Sequence, residues 1–459
     1  MSEAAAHAIA ARVDRIRTGR LPEAVATRAA ELLLDYLGVA LGGAGEESTV
    51  VLRRGLAALA TAGDATIIGT NERMAPPHAA IANGAAAHAL EMDDTHLGGS
   101  IHLGASVFSA ALAAAEIAPA SGETLLRAAV AGYEVAARLA IALDPAAHYR
   151  RGFHPTGTCG AFGAAAAAGV VIGLDADALT SAFGIAGSQA AGSMEFLADG
   201  AWTKRLHPGW AACAGLHAAA LARAGFRGPA TIVDGRFGFL HAYGEGASRA
   251  TLDRFDDYEL MHTGVKPHAC CRYAQGPIDA VLALRGEHAI TPERVARIEV
   301  GIVNAGFAIV CEPLDAKRRP GSVVDAQFSL PFSLAVALVR GAASPAEFVP
   351  RNWDDPLVRR LMDRVEPVRD AALDAMFPRV WPCWVRITLD DGGRHEARIT
   401  HPTGDPERFP SPPEQRAKFA GLARRALAPD RIDALAAAAT RIAGASDVRA
   451  LLALTRPGI

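Results

Sequence analysis

The sequence lacks a basic excess, a long apolar run and clustered cysteines, and each shortage removes a class of protein. The formal net charge is only -3. No positive surplus exists to neutralise phosphates, so nucleic acid is not an expected partner. A local basic patch can still bind a small anion. The opening residues, MSEAAAHAIAARVDRIRTGR, have no basic segment followed by a long apolar one, so no secretory signal is expected there. The longest weakly polar run, residues 160–174, reads as too short for a membrane span, which needs roughly 20 apolar residues. A cytoplasmic protein without a membrane partner is the expectation. The six cysteines, Cys159, Cys213, Cys270, Cys271, Cys311 and Cys383, form no CxxC pair. Zinc-ribbon, thioredoxin and clustered iron–sulfur readings therefore lack support, and Cys270–Cys271 reads as buried thiols rather than a bridge.

What is present is a large apolar fraction: 51% of the residues are hydrophobic, enough to bury a substantial core. The length allows two or three domains. From Ala4 to about Phe226 the pattern is helical and rich in alanine, the best helix former. Near Lys266 the texture changes. VARIEVGIV, residues 295–303, reads as a strand, and residues 384–389 and 394–399 flank Asp390-Asp391-Gly392-Gly393 as a hairpin. Residues 328–339 and 356–365 read as helices between them, and further helices are expected from Glu414 to Leu454. The expected fold is mainly α with a smaller α+β part. A large all-helical domain takes residues 1–265 and continues in 402–459, and an α/β lid domain takes 266–401.

Four segments carry candidate chemistry. In the first, His88-Ala-Leu-Glu91-Met-Asp93-Asp94-Thr95-His96 with His102 shortly after, three carboxylates and three histidines gather at the end of an expected helix over 79–92, with His88 and Glu91 on one of its faces. A solvated helix end with capping aspartates, a divalent-metal site and an acid–base site are all open readings of it. The second and third are Phe153-His154-Pro155-Thr156-Gly157 and Thr203-Lys204-Arg205-Leu206-His207-Pro208-Gly209. Each reads as a His-Pro pair opening a small-residue helix, and His102 also precedes an alanine-rich helix. Helix starts present unbonded N–H groups and partial positive charge, so histidines there, with Lys204 nearby, point to an anion site able to move protons. The fourth, Gly264-Val-Lys266-Pro-His268-Ala-Cys270-Cys271-Arg272-Tyr273, lies at the change of texture, where small-molecule sites favour domain interfaces. A basic linker with buried thiols is its plain alternative.

In this order, HALEMDDTH with a following histidine, FHPTGT, TKRLHPG and KPHACCRY resemble the MmgE/PrpD family, which includes 2-methylcitrate dehydratase, cis-aconitate decarboxylase and iminodisuccinate epimerase. The resemblance covers nearly the whole chain. It implies a homodimer that works without metal, iron–sulfur cluster or other cofactor on a small polycarboxylate. It implies catalytic roles for Glu91, Asp94, His102, His154 and Lys204, and substrate contacts from Thr95 and Lys266. Cys271 and Arg272 are further candidates for substrate contact, Arg272 through a carboxylate. The chain departs from the family at three places: Glu91 replaces an aspartate, and Cys271 and Phe332 stand where cis-aconitate decarboxylase has a histidine and a tyrosine. The expected activity is a cofactor-independent hydro-lyase on a citrate-like or 2-methylcitrate-like acid. An epimerase or decarboxylase using the same groups, and a non-catalytic helical binding protein, remain as alternatives.

Overall fold

A computed structural model of the chain describes residues 4–59, 62–252, 255 and 257–458. Its centre is the helix Gly160–Ile172, packed by Gly104–Ile117, Gly122–Ala142 and Thr203–Arg223. The sequence GAFGAAAAAGVV permits this because small side chains let backbones approach. A Cβ added at Gly163 would lie 2.7 Å from the Gly132 carbonyl oxygen, and one at Gly215 2.5 Å from Ala164 Cβ. The short helix Pro155–Thr158 leads into this element, and together they make an 18-residue span, Pro155–Ile172. That span is long and apolar enough to cross a membrane by length and composition, which corrects the shorter reading, yet nearly all of it is buried inside the helical body.

A second close contact sets the geometry of the site. A Cβ at Gly84 would sit 2.6 Å from Gly209 Cα, and one at Gly209 would sit 2.2 Å from the Ile81 carbonyl oxygen. The helices Pro76–His88 and Thr203–Arg223 therefore touch backbone to backbone. Moving forward from Gly84 reaches His88, and moving backward from Gly209 reaches Lys204, so the two side chains arrive in one layer.

Two helix boundaries differ from expectation. The first helix of this pair stops at His88 rather than Met92, and Glu91 follows with φ 54°, a left-handed conformation uncommon for a residue with a side chain. The second starts at Thr203, so Pro208 lies inside it rather than at its first turn. His207 is thus not at a helix start, whereas Lys204 is in the first turn.

The α/β part is a four-stranded sheet in the order Val365–Arg369, Val295–Ile302, Cys383–Leu389, Arg394–Ile399. The hairpin and the first expected strand are present, with Gly392 in the left-handed turn position. Val365–Arg369 pairs parallel to Val295–Ile302, at an edge. Helices Gln275–Glu287 and Leu330–Arg340 pack on the sheet. The late helices Pro412–Ala423 and Pro429–Thr440 return to the early helix Glu23–Gly43. A two-residue ladder lies beside the site, just before the α/β part begins: Thr95 pairs with Gly264 and His96 with Thr263.

Candidate active site

The left-handed turn after His88 places Glu91 between two buried ammonium groups. Lys204 Nζ donates to Glu91 Oε1 in a short contact, and Lys266 Nζ donates to Glu91 Oε2 at 3.4 Å. Lys266 also lies 3.6 Å from Asp93 Oδ1, and its side chain is fully buried. The ladder between Thr95–His96 and Thr263–Gly264 explains its arrival, because Lys266 follows two residues later. Burial alone would raise the Glu91 carboxyl. The two lysines outweigh it and hold Glu91 below the usual carboxylate range. Lys266 is likewise raised by Glu91 and Asp93 against burial, whereas burial lowers Lys204.

The imidazoles are arranged around this pair by their second nitrogens. His88 Nδ1 lies 2.7 Å from Asp93 Oδ2, and Lys204 Nζ lies 2.8 Å from His88 Nε2. An ammonium only donates, so His88 carries its proton on Nδ1. His102 Nδ1 is 2.9 Å from the Asp94 carbonyl oxygen, 3.3 Å from Thr95 Oγ1 and 3.4 Å from Asp93 Oδ2. A carbonyl only accepts, so His102 also carries its proton on Nδ1 and presents an unprotonated Nε2. His154 caps the helix Pro155–Thr158 by position, and its Nδ1 meets His207 Nδ1 at 3.0 Å. His154 Nε2 is buried without a hydrogen-bond partner among the described residues. Burial pushes His102 well below the ordinary imidazole range against the opposing charge of Asp93, and burial with the nearby Lys204 does the same to His154, so both are neutral near pH 7. Thr156 Oγ1 accepts from the His102 backbone N–H at 3.1 Å, which ties the two histidine segments together.

Part of this cluster lines one small cavity of about 30 Å³, with Glu91, Thr95, His102, His154, Lys204 and Cys271 in its wall. Tyr149, Met194, Arg272, Tyr273, Phe328 and Trp381 complete much of its wall. A wider groove of about 910 Å³ runs along Met92, Val265 and Lys418, and the site histidines do not line it.

The structure separates three expected residues from the cluster. Asp94 does not line the cavity: its Oδ1 accepts from the Gly104 N–H at 2.9 Å and its Oδ2 accepts from Tyr133 in a short contact. It caps the helix Gly104–Ile117 and reaches the chemistry only through its carbonyl on His102. Burial pushes its carboxyl up to about 7. Arg272 lines the cavity, yet its guanidinium pairs with the buried Asp405. Burial, against nearby acids, brings Arg272 down to about 10, so it stays charged at neutral pH. Phe332 is fully buried against Phe348 and Trp353, at ring distances of 5.4 and 6.0 Å, and does not line the cavity. The Cys271 thiol lines the cavity, and burial raises it, which keeps it protonated rather than nucleophilic.

From sequence Asp93 stands out only as a candidate metal ligand beside Asp94 and His96, His88 only as a motif residue, and His207 only as part of a helix start. The His88–Asp93 contact crosses a helix end, so no helical spacing reveals it. As for metal, His96 Nε2 bonds Glu259 at 3.1 Å and its Nδ1 accepts from Gly99 N–H at 2.9 Å, away from Asp93 and Asp94. The ligand nitrogens of His88, His102 and His154 lie within 4.8 Å of one another. Both nitrogens of His88 are already engaged, however, one of them by an ammonium group. A cation there would have to displace Lys204, so this donor set fits proton transfer better than metal binding.

Comparison with known proteins finds similarity along most of the chain. The MmgE/PrpD N-terminal domain matches residues 7–251, and the MmgE/PrpD C-terminal domain matches residues 268–442. A cis-aconitate decarboxylase-like protein of Aspergillus oryzae is 29% identical, covering 96% of this chain and 95% of the relative. Cis-aconitate decarboxylase of Mus musculus is 27% identical over 99% of this chain and 94% of its own, and that of Aspergillus terreus is 27% identical over 87% and 85%. The matched regions hold the first three histidine- and lysine-bearing segments and residues 268–273 of the fourth, and the chain belongs to the MmgE/PrpD family.

Proposed function

We propose that this protein is a lyase acting on a small polycarboxylic acid, using proton transfer between a buried imidazole and a carbon next to a carboxylate, without a cofactor. One observation carries the reading: Lys204 and two neutral histidines line the same small cavity, and a second buried lysine, Lys266, joins them through the Glu91 carboxylate. Removing a proton from such a carbon, or breaking a carbon bond beside a carboxylate, builds negative charge on an already anionic molecule. Preorganised positive charge in a water-poor site lowers that cost. Lys204 and Lys266 supply it once a substrate carboxylate competes with Glu91 for them. His102 Nε2 is a base as it stands, and His154 Nε2 is the second proton-transfer atom.

The cavity has room for about one water molecule, so a six-carbon acid enters only when the α/β lid parts from the helical body. Cys271, Arg272 and Tyr273 then close over it from the lid side.

The leading reading of the bond broken is C–O, a dehydration of a citrate-like or 2-methylcitrate-like acid, because two imidazoles can serve as base for carbon and acid for the leaving hydroxyl. The names of the relatives favour a second reading, decarboxylation of cis-aconitate. Both use the same carbon skeleton and the same lysines. Purified protein is incubated with 2-methylcitrate, citrate and cis-aconitate, following alkene absorbance and carbon dioxide. Alkene from the first two supports dehydration, and carbon dioxide from cis-aconitate replaces it with decarboxylation. No turnover of any of the three rejects the polycarboxylate lyase.

A further inference from the structure

The His154–His207 contact has a feature the site reading does not use. Two Nδ1 atoms face each other at 3.0 Å, so one must carry the proton and the other must not. His154 is buried at 1% exposure with Nε2 turned into the enclosed cavity, whereas His207 is half-buried. Among the described residues no protein hydrogen bond engages His207 Nε2, and that atom is not among the buried unpartnered ones. The helix Thr203–Arg223 carries both Lys204 and His207, one turn apart, and Phe196 packs edge-on to the His207 ring at 6.4 Å. The pair thus spans the wall between a cavity with room for about one water and the outer side of that wall.

We propose that His207 is the outer member of a two-imidazole proton relay that sets which nitrogen of His154 is protonated while the cavity is closed. The inference rests on His154 exchanging a proton with substrate. In one direction, His154 Nε2 accepts a proton from substrate. Its Nδ1 proton passes to His207 Nδ1, and His207 Nε2 releases a proton to water. His154 is left protonated on Nε2 and His207 on Nδ1, with the hydrogen bond reversed and no net charge retained. In the other direction, water protonates His207 Nε2, the Nδ1 proton moves to His154, and His154 Nε2–H protonates carbon. That direction delivers the one solvent proton a decarboxylation consumes, whereas a dehydration needs no net proton from outside. His207 is a positioning residue here, acting through His154.

Two measurements test the relay. In protein labelled with ¹⁵N-histidine, nitrogen shifts are expected to show one protonated and one bare Nδ1 in the pair. Two bare Nδ1 atoms, with both rings protonated at Nε2, would overturn the relay whatever the substrate. In the rate arm, His154→Ala and His207→Ala are assayed on cis-aconitate, citrate and 2-methylcitrate. His207→Ala is expected to lose roughly 10- to 100-fold in kcat with little change in KM, within the range of acid–base effects. Added imidazole is expected to restore part of it, because His207 is only half-buried. Wild-type kcat in His207→Ala, or a loss that neither imidazole nor buffer concentration relieves, would overturn the relay. If His154→Ala keeps the wild-type rate, the site reading fails and the relay with it. If His154→Ala is inactive while His207→Ala is unaffected, the relay alone fails.

Discussion

The helical body and the α/β part contribute to the cavity in opposite ways. On the body side, His88, Glu91, Asp93, His102 and Lys204 form a connected network in which nearly every polar atom has a partner. On the other side, Lys266 is the one cation among the described residues that joins the network, while Arg272 is tied to Asp405 within its own neighbourhood. In the proposed reading the body holds the proton-transfer groups in register before any ligand arrives, and the α/β part adds charge, wall and closure. The comparison separates chemistry from enclosure, and substitutions on the two sides should separate kcat from KM.

The largest effect is expected on the body side. Lys204→Met should lower kcat on the order of 10²–10³-fold or more, because it removes a preorganised cation from a dry site and leaves Glu91 and His88 unmatched. Steady-state rates, with circular dichroism to verify folding, check this. Arg272→Met is the contrasting change. It should raise KM and lower thermal stability, since it strands the buried Asp405, while kcat falls far less than in Lys204→Met. An equal kcat loss in both would erase the distinction between the two sides.

A third prediction concerns pH. Burial depresses both His102 and His154, so each keeps its neutral form well below the ordinary imidazole value. The acid limb of kcat/KM is therefore expected below about pH 6, and a limb centred near 6.5 would mean that the acting histidine is not one of these.

The smallest effects are structural. Gly209→Ala should destabilise by about 1–3 kcal/mol by forcing its helix off the Ile81 backbone, and it should disturb Lys204 through that shift. Asp94 has a folded pKa raised to about 7 by burial, so its contribution to stability declines as pH rises from its unfolded value through about 7. Asp94→Asn should remove this part of the pH dependence, seen as a smaller difference between denaturation midpoints at pH 5 and pH 8.

Much of the fold was readable from the residues, and the misses have local causes. Alanine-rich periodicity and the Asp-Asp-Gly-Gly turn mark the helical body and the hairpin because both signals are short-range. Strand Val365–Arg369 escaped notice because Glu366 and Pro367 argue against a strand, and proline is tolerated there only because the strand lies at the sheet edge. The end of the helix at His88 is set by the turn that delivers Glu91 to the lysines, which is a tertiary requirement. Within the site, residue types and order located Glu91, His102, His154, Lys204 and Lys266 together. Asp94 carries an equally suggestive side chain and faces elsewhere, because adjacent Asp93 and Asp94 point to different partners. The two His-Pro pairs look alike in sequence, yet one opens a helix and the other lies inside one, and only packing brings their rings together.

The account's central claim is proton exchange between a buried imidazole and a carbon beside a carboxylate. It is tested most directly by running turnover of cis-aconitate, citrate and 2-methylcitrate in D₂O and locating deuterium by mass spectrometry and NMR. The account predicts carbon-bound deuterium in the product or the recovered acid with wild-type protein, and none with His154→Ala. Decarboxylation of cis-aconitate, or its hydration in the reverse direction, that leaves every carbon position free of deuterium would contradict it.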